Sequence, residues 1–267
     1  MIWVKHFDYP TQWESFPRTI DGEVHMDRRP TANSPRRRLE TRFLIRNDSG
    51  AYGVSYRWEN LNGGPQSDAN LVGDSGESFD IDITLDGNPT TASWQIPSRT
   101  NCMTCHTPEA GHALSFNTRQ LNVPGTVAGV TGNFIDALGL TGYLTGAPPD
   151  SSGLPRHFRP DETEVSLETR VRSYLDVNCA YCHQSDGTGG GYWDGRAHLT
   201  MAETKLIKGL TIDLPLQLGD QLVVPAQPAK SILFNRTAAA NGYSRMPPLA
   251  TSVVDLEGAQ LIADWIA

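Results

Sequence analysis

Period-two alternation runs through the first hundred residues. In Phe79-Asp80-Ile81-Asp82-Ile83 apolar side chains alternate with acids, as in a strand with one buried face. The same pattern predicts strands at 3–7, 39–46, 52–59, 78–85 and 91–96. Turn-forming strings separate them: Asn47-Asp48-Ser49-Gly50, Asn62-Gly63-Gly64-Pro65 and Asp86-Gly87-Asn88-Pro89. Short strands at this spacing predict an N-terminal antiparallel β-sandwich or barrel-like domain over residues 1–100. Residues 8–34, rich in Pro and Arg, read as irregular.

The period changes after Ser98. Residues 101–160 form an intermediate segment, with a short helix expected at 133–140 and a Gly- and Pro-rich linker at 142–160. From 161 the helical period takes over. Ser166 is placed to cap a helix whose Leu167, Val171, Tyr174 and Leu175 share one face. Asp255 is placed to cap a terminal helix bearing Leu261, Ile262, Trp265 and Ile266. Residues 161–267 are therefore expected to form an all-α domain, and the whole chain an α+β fold.

Composition adds a shortage of core. Only 38% of the 267 residues are hydrophobic and 8% aromatic, while 25 Gly and 18 Pro imply many turns. A bound apolar cofactor would make up the difference. The net charge of −8 argues against nucleic acid as a partner. The basic run Arg36-Arg37-Arg38, with Arg28 and Arg29, reads as a solvated face or as a patch for acidic groups. No stretch approaches the roughly 20 apolar residues of a membrane span.

The cysteines say what the cofactor is. All four lie in two copies of one pattern, Cys102-Met103-Thr104-Cys105-His106 and Cys179-Ala180-Tyr181-Cys182-His183. C-x-x-C-H is the attachment signature of c-type haem: two thiols on one turn bond the porphyrin, and the next imidazole reaches the iron. A zinc site would keep its two C-x-x-C pairs about 15–20 residues apart, unlike these. The chain is thus expected to carry two covalently attached haem c groups, with His106 and His183 as proximal ligands. Haem of this type is attached outside the cytoplasm in bacteria. No signal peptide precedes the first strand, so the chain reads as part of a longer periplasmic or otherwise exported protein.

For the second haem, Met246 is the expected distal ligand. It stands in Ser244-Arg245-Met246-Pro247-Pro248-Leu249, a proline-stiffened loop before the last helix. Met201, in a polar stretch, is the weaker alternative. Pro225 is expected to shape the haem wall, with Tyr181, Tyr192 and Trp193 as packing or propionate contacts. For the first haem, His112 and Met103 are too close to the motif. His6 is favoured as the distal metal ligand; His25, Met26, His157 or no ligand remain as alternatives, as does a plain surface or core role for His6.

The order helix, C-x-x-C-H, long loop, Met, terminal helix resembles the class I cytochromes c over about residues 166–267. That resemblance implies a crossing of the first and last helices with Trp265 at the contact. Trp3-Val4-Lys5-His6-Phe7, Arg38-Leu39-Glu40-Thr41-Arg42-Phe43-Leu44, Tyr56-Arg57-Trp58, Pro97-Ser98-Arg99, Asn117-Thr118-Arg119-Gln120-Leu121-Asn122 and Arg245-Met246-Pro247-Pro248-Leu249 together resemble a longer module. It is the dihaem cytochrome module at the C-terminus of some bacterial PQQ-dependent sugar dehydrogenases. The resemblance implies an electron-transfer protein, not an enzyme by itself, that takes electrons from a dehydrogenase and passes them to a cytochrome or oxidase. A His/Met second haem would have a higher potential than a His/His first haem, so electrons would run from first to second. Two other readings stand beside it: a dihaem peroxidase with an open first haem, and a β-domain presenting Trp3, Trp13, Trp58 and Trp94 to carbohydrate.

Overall fold

The computed structural model describes residues 1–148, 150–212, 216–249 and 253–267. Eight strands fill the first hundred residues: β1 (Ile2–Pro10), β2 (Gln12–Ile20), β3 (Glu23–Pro30), β4 (Arg36–Asn47), β5 (Gly50–Trp58), β6 (Ala69–Leu71), β7 (Glu77–Leu85) and β8 (Asn88–Ile96). One sheet has the order β1-β4-β5-β6 and the other β3-β2-β7-β8. The five strands read from alternation fall within β1, β4, β5, β7 and β8. Residues 8–34, expected to be irregular, supply the end of β1 and the hairpin β2–β3. Its turn is Asp21-Gly22, both with positive φ (48° and 80°), as a tight hairpin requires.

The second sheet is mixed, which corrects the expectation of a purely antiparallel sandwich. β2 runs parallel to β7 through Gln12–Thr84 and Trp13–Leu85. Between the sheets lie Leu39, Ile81 and Ile83, flanked by Tyr9, Trp13, Phe79 and Trp94. Glu40 is fully buried there. The Arg42 guanidinium donates to both its carboxylate oxygens, and Trp94 Nε1 donates to Oε2 at 3.2 Å.

After the sheets come α1 (Arg99–Cys105), α2 (Thr118–Leu121), a hairpin of β9 (Pro124–Val127) and β10 (Val130–Asn133), and α3 (Phe134–Leu140). The last third holds α4 (Leu167–Asn178), α5 (Met201–Thr204), a 3₁₀ turn at Pro228–Lys230, α6 (Ile232–Ala238) and α7 (Leu256–Ile266). Ser166 and Asp255 cap α4 and α7 as expected from sequence.

The expectation of an all-α class I cytochrome c domain at 161–267 is overturned, and with it the α+β assignment built on that domain. Among the described residues the chain has ten strands against seven α-helices, and the longest helix has 12 residues. Between α4 and α6 the backbone is mostly turns and bridges. Positive φ at Asp186, Lys205, Lys208 and Ala226 breaks any helix there. The core of this region is also not its own. Ile20, from the end of β2, is buried among Val171, Leu175, Leu206, Phe234 and Ile262. α4 and α7 do pack together, with Tyr174 of α4 lying over Gly258 of α7 where no Cβ would fit. Trp265 packs on the flank of the same core.

Candidate haem-attachment site

Helix α1 exists to present the first motif. Ser98 and Asn101 form a reciprocal capping box at its start, and Cys102 and Cys105 lie on its last turn. The second motif follows the C-terminus of α4, with Cys179 as the capping residue. In both, the histidine amide returns to the first cysteine's carbonyl: His106 N to Cys102 O at 3.1 Å and His183 N to Cys179 O at 2.8 Å. Each motif is therefore closed in one turn, with both thiols and the imidazole on a single loop of backbone.

The two motifs, 77 residues apart, are brought into contact. Cys182 Sγ lies 3.7 Å from Cys105 Sγ. Thr188 Oγ1, just beyond the second motif, donates to the Thr104 carbonyl inside the first at 2.6 Å. On its other side the first motif meets β5: a Cβ on Gly53 would sit 3.0 Å from Cys102 Sγ, a close approach that any larger residue would have to push apart.

Both imidazoles are held in ways that suit ligation. His106 Nδ1 bonds the His112 carbonyl, turned back by a positive φ of 62° at His112. That contact fixes the ring and leaves Nε2 as the nitrogen that could ligate a metal. His183 stacks on buried Trp193, centroids 4.4 Å apart at 22°. Its Nδ1 is buried without a partner in hydrogen-bond geometry, although the Gly190 carbonyl is close enough to favour the protonated ring. Burial holds His106 below its usual pKa; burial and the Arg236 charge push His183 down to about 4. Both rings are therefore neutral at pH 7, as a metal ligand must be. Burial pushes the Cys179 thiol up to about 12 and raises that of Cys102.

These residues fit a haem. Large apolar side chains of the last third stand exposed: Leu210, Ile212 and Leu216 are 71%, 62% and 61% exposed, and Ile212 approaches the loop after the second motif. Ile212 Cδ1 lies 3.6 Å from where a Gly190 Cβ would be, and the Leu216 amide bonds Tyr243 Oη at 2.9 Å. A porphyrin face would cover such a wall. A shared zinc site does not fit, because no group of three or more His, Cys, Asp or Glu converges among the described residues.

Met246 is half-buried, on a loop strapped to α6. Its amide bonds the Arg236 carbonyl at 2.9 Å, and the Arg236 guanidinium donates to Ser244 O and Oγ. The charge of that same arginine reaches His183. Met201 is engaged elsewhere, in the core, with Thr204 Oγ1 3.6 Å from its sulfur.

The structure does not bring His6 to the first motif. Lys5 and Arg42, paired across β1 and β4, extend their charge to His106. Strand alternation turns His6 to the other face, where it is exposed and its Nδ1 meets Thr41 Oγ1 at 2.8 Å. His25 and Met26 lie on β3, with Met26 62% exposed. His157 Nε2 is 2.7 Å from Asp176 Oδ2. Nor do the four tryptophans form one platform: Trp13 and Trp94 pack between the sheets, while Trp58 Nε1 bonds Thr41 on the face that carries His6. Tyr181 donates to Gln120 at 2.8 Å, and Tyr192 is exposed.

No protein-family model, characterised protein or solved structure matches the chain. No helix among the described residues is long and apolar enough to cross a membrane.

Proposed function

We propose that the chain is a dihaem c-type electron-transfer protein. The observation that carries this is the meeting of two single-turn C-x-x-C-H loops at Cys105 and Cys182. Haem c supplies one-electron exchange at its iron. The chain does the rest. Cys102, Cys105, Cys179 and Cys182 would hold the two groups. His106 and His183 would ligate through rings that burial keeps neutral and that His112 and Trp193 hold still. Met246 would complete the second site from a loop tied to α6. A ligand set fixed in this way would keep reorganisation small.

The setting follows from the chemistry and the resemblance. Attachment places the protein in the periplasm or another exported compartment. The donor is a dehydrogenase, in fused form a PQQ-dependent sugar dehydrogenase, and the acceptor a cytochrome or oxidase. The net charge of −8 favours a basic docking surface on that partner.

The test is expression with c-haem maturation, followed by denaturation and a haemochrome assay. Two haems should stay with the wild-type chain and one with the Cys102→Ala/Cys105→Ala variant. A chain that retains none sinks the reading. Met246→Ala should then lose the near-infrared band of His/Met ligation. One observation favours a second reading, a peroxidase: His6, His25 and His157 are all engaged away from His106. Peroxide turnover with a high-spin first haem would select it.

A further inference from the structure

Helix α1 ends on Cys105, and Cys182 follows the cap of α4. Each of these inner thiols reaches out of its own motif toward the other. Their sulfurs stand 3.7 Å apart, in van der Waals contact. Both side chains are half-buried, within reach of a small reagent.

The backbones behind them are held. The start of α1 is closed by the box of Ser98 and Asn101. The Cys182 carbonyl accepts the Gly189 amide at 2.8 Å, and the neighbouring Thr188 hydroxyl donates to the Thr104 carbonyl at 2.6 Å. The approach is therefore set by the fold of both loops. The outer cysteines face elsewhere. Cys102 Sγ lies against Gly53 of β5, and Cys179 packs on the core around α4 and α7. A bond within either motif would draw an outer thiol off its wall. A bond between the motifs needs only small rotations of two side chains already in contact.

We propose that in the chain without haem Cys105 and Cys182 form a disulfide that bridges the two motifs. A small disulfide such as oxidised glutathione is the oxidant. One chain thiolate attacks a glutathione sulfur and releases one glutathione thiolate. The other chain thiolate then attacks the mixed disulfide and releases the second. One sulfur–sulfur bond forms and one breaks; two electrons pass to glutathione, and the protons of the chain thiols end on the two glutathione thiols. Each motif is left with one thiol where haem attachment takes two. The bridged chain would accept no haem until a thiol reductant opened it. That consequence rests on the dihaem reading; the bond itself does not.

The test uses the full chain produced without haem maturation. It is treated with oxidised glutathione, its remaining thiols are alkylated, and tryptic peptides are weighed without reduction. Residues 100–119 and 173–196, which carry the two motifs, should appear as one linked species. Cys102→Ser/Cys179→Ser should keep the link and Cys105→Ser/Cys182→Ser should lose it. In 8 M urea the link should vanish, because closing a 77-residue loop is disfavoured against the short loop inside a motif by roughly a hundredfold. Bonds within the motifs as the main product, no bond at all, or the same products with and without urea overturn the proposal. The bond is read in peptide masses and haem content in the haemochrome assay, so failure here is distinguishable from failure of the dihaem assignment.

Discussion

Two adjacent glycines beside the second motif make opposite predictions for the same substitution. A Cβ on Gly189 would stand 2.8 Å from the Cys182 carbonyl carbon, its oxygen and His183 Nδ1. Neither neighbour has freedom to yield. The Cys182 carbonyl accepts the Gly189 amide at 2.8 Å, and the His183 ring is stacked on Trp193. Relief requires a shift of several tenths of an ångström in backbone or imidazole. Overpacking of this kind costs about 1–3 kcal/mol, and losing the amide bond adds about 0.5–1.5 kcal/mol. Against this, alanine restricts the unfolded chain and returns only about 0.4–1 kcal/mol. Gly189→Ala should therefore destabilise by about 2 kcal/mol. Gly190→Ala is the control: its Cβ would meet only Ile212 Cδ1 at 3.6 Å, an ordinary contact. It should be neutral or slightly stabilising. In urea unfolding, at about 3 kcal/mol per molar of denaturant, Gly189→Ala should lower the midpoint by about 0.7 M and Gly190→Ala should leave it in place. Equal midpoints for the two variants would refute the packing argument.

Three further outcomes are expected. In the Cys179→Ala/Cys182→Ala chain, whose second motif cannot hold a haem, His183 has a folded pKa near 4, depressed by burial and Arg236. The unfolded chain then binds more protons between about pH 6.5 and 4, so stability should fall across that window as pH drops, by about 3 kcal/mol; His183→Gln should flatten the slope. Ile20→Ala should cost about 2–5 kcal/mol in denaturant unfolding, because Ile20 is 1% exposed in the core around α4 and α7; a loss under 0.5 kcal/mol would show that this core does not need the strand. Glu40→Gln should cost about 1.5–3 kcal/mol by the same assay, since it removes the charge-assisted bonds of the buried carboxylate to the half-buried Arg42 guanidinium; an unchanged midpoint contradicts that account.

Local signals in the sequence located what is local in the fold. The alternation in β7, the caps Ser166 and Asp255, and both single-turn motifs were legible because neighbours within five residues determine them. The hairpin β2–β3 was hidden by Pro10, Pro17 and Pro30, which count against strands. β2 tolerates Pro17 because its pairing with β7 covers only Gln12 and Trp13, leaving the far end as an edge. Asp21-Gly22 was the signal that would have found the hairpin. The all-α expectation failed because helical period at both ends of 161–267 was extended across a middle where Gly and positive φ prevail. Placement of Ile20 in a distant core, and the face on which His6 stands, depend on register and long-range packing that no local pattern encodes. The meeting of Cys105 with Cys182 is long-range in the same sense.

The contact between Cys105 and Cys182 also governs how the chain answers to change. Two sites that share a wall are one genetic unit. A substitution that reshapes the loop at Thr104 moves the partner of Thr188, and a lesion in the second motif reaches the first through the same two contacts. Single-site variants of either motif therefore report on the pair.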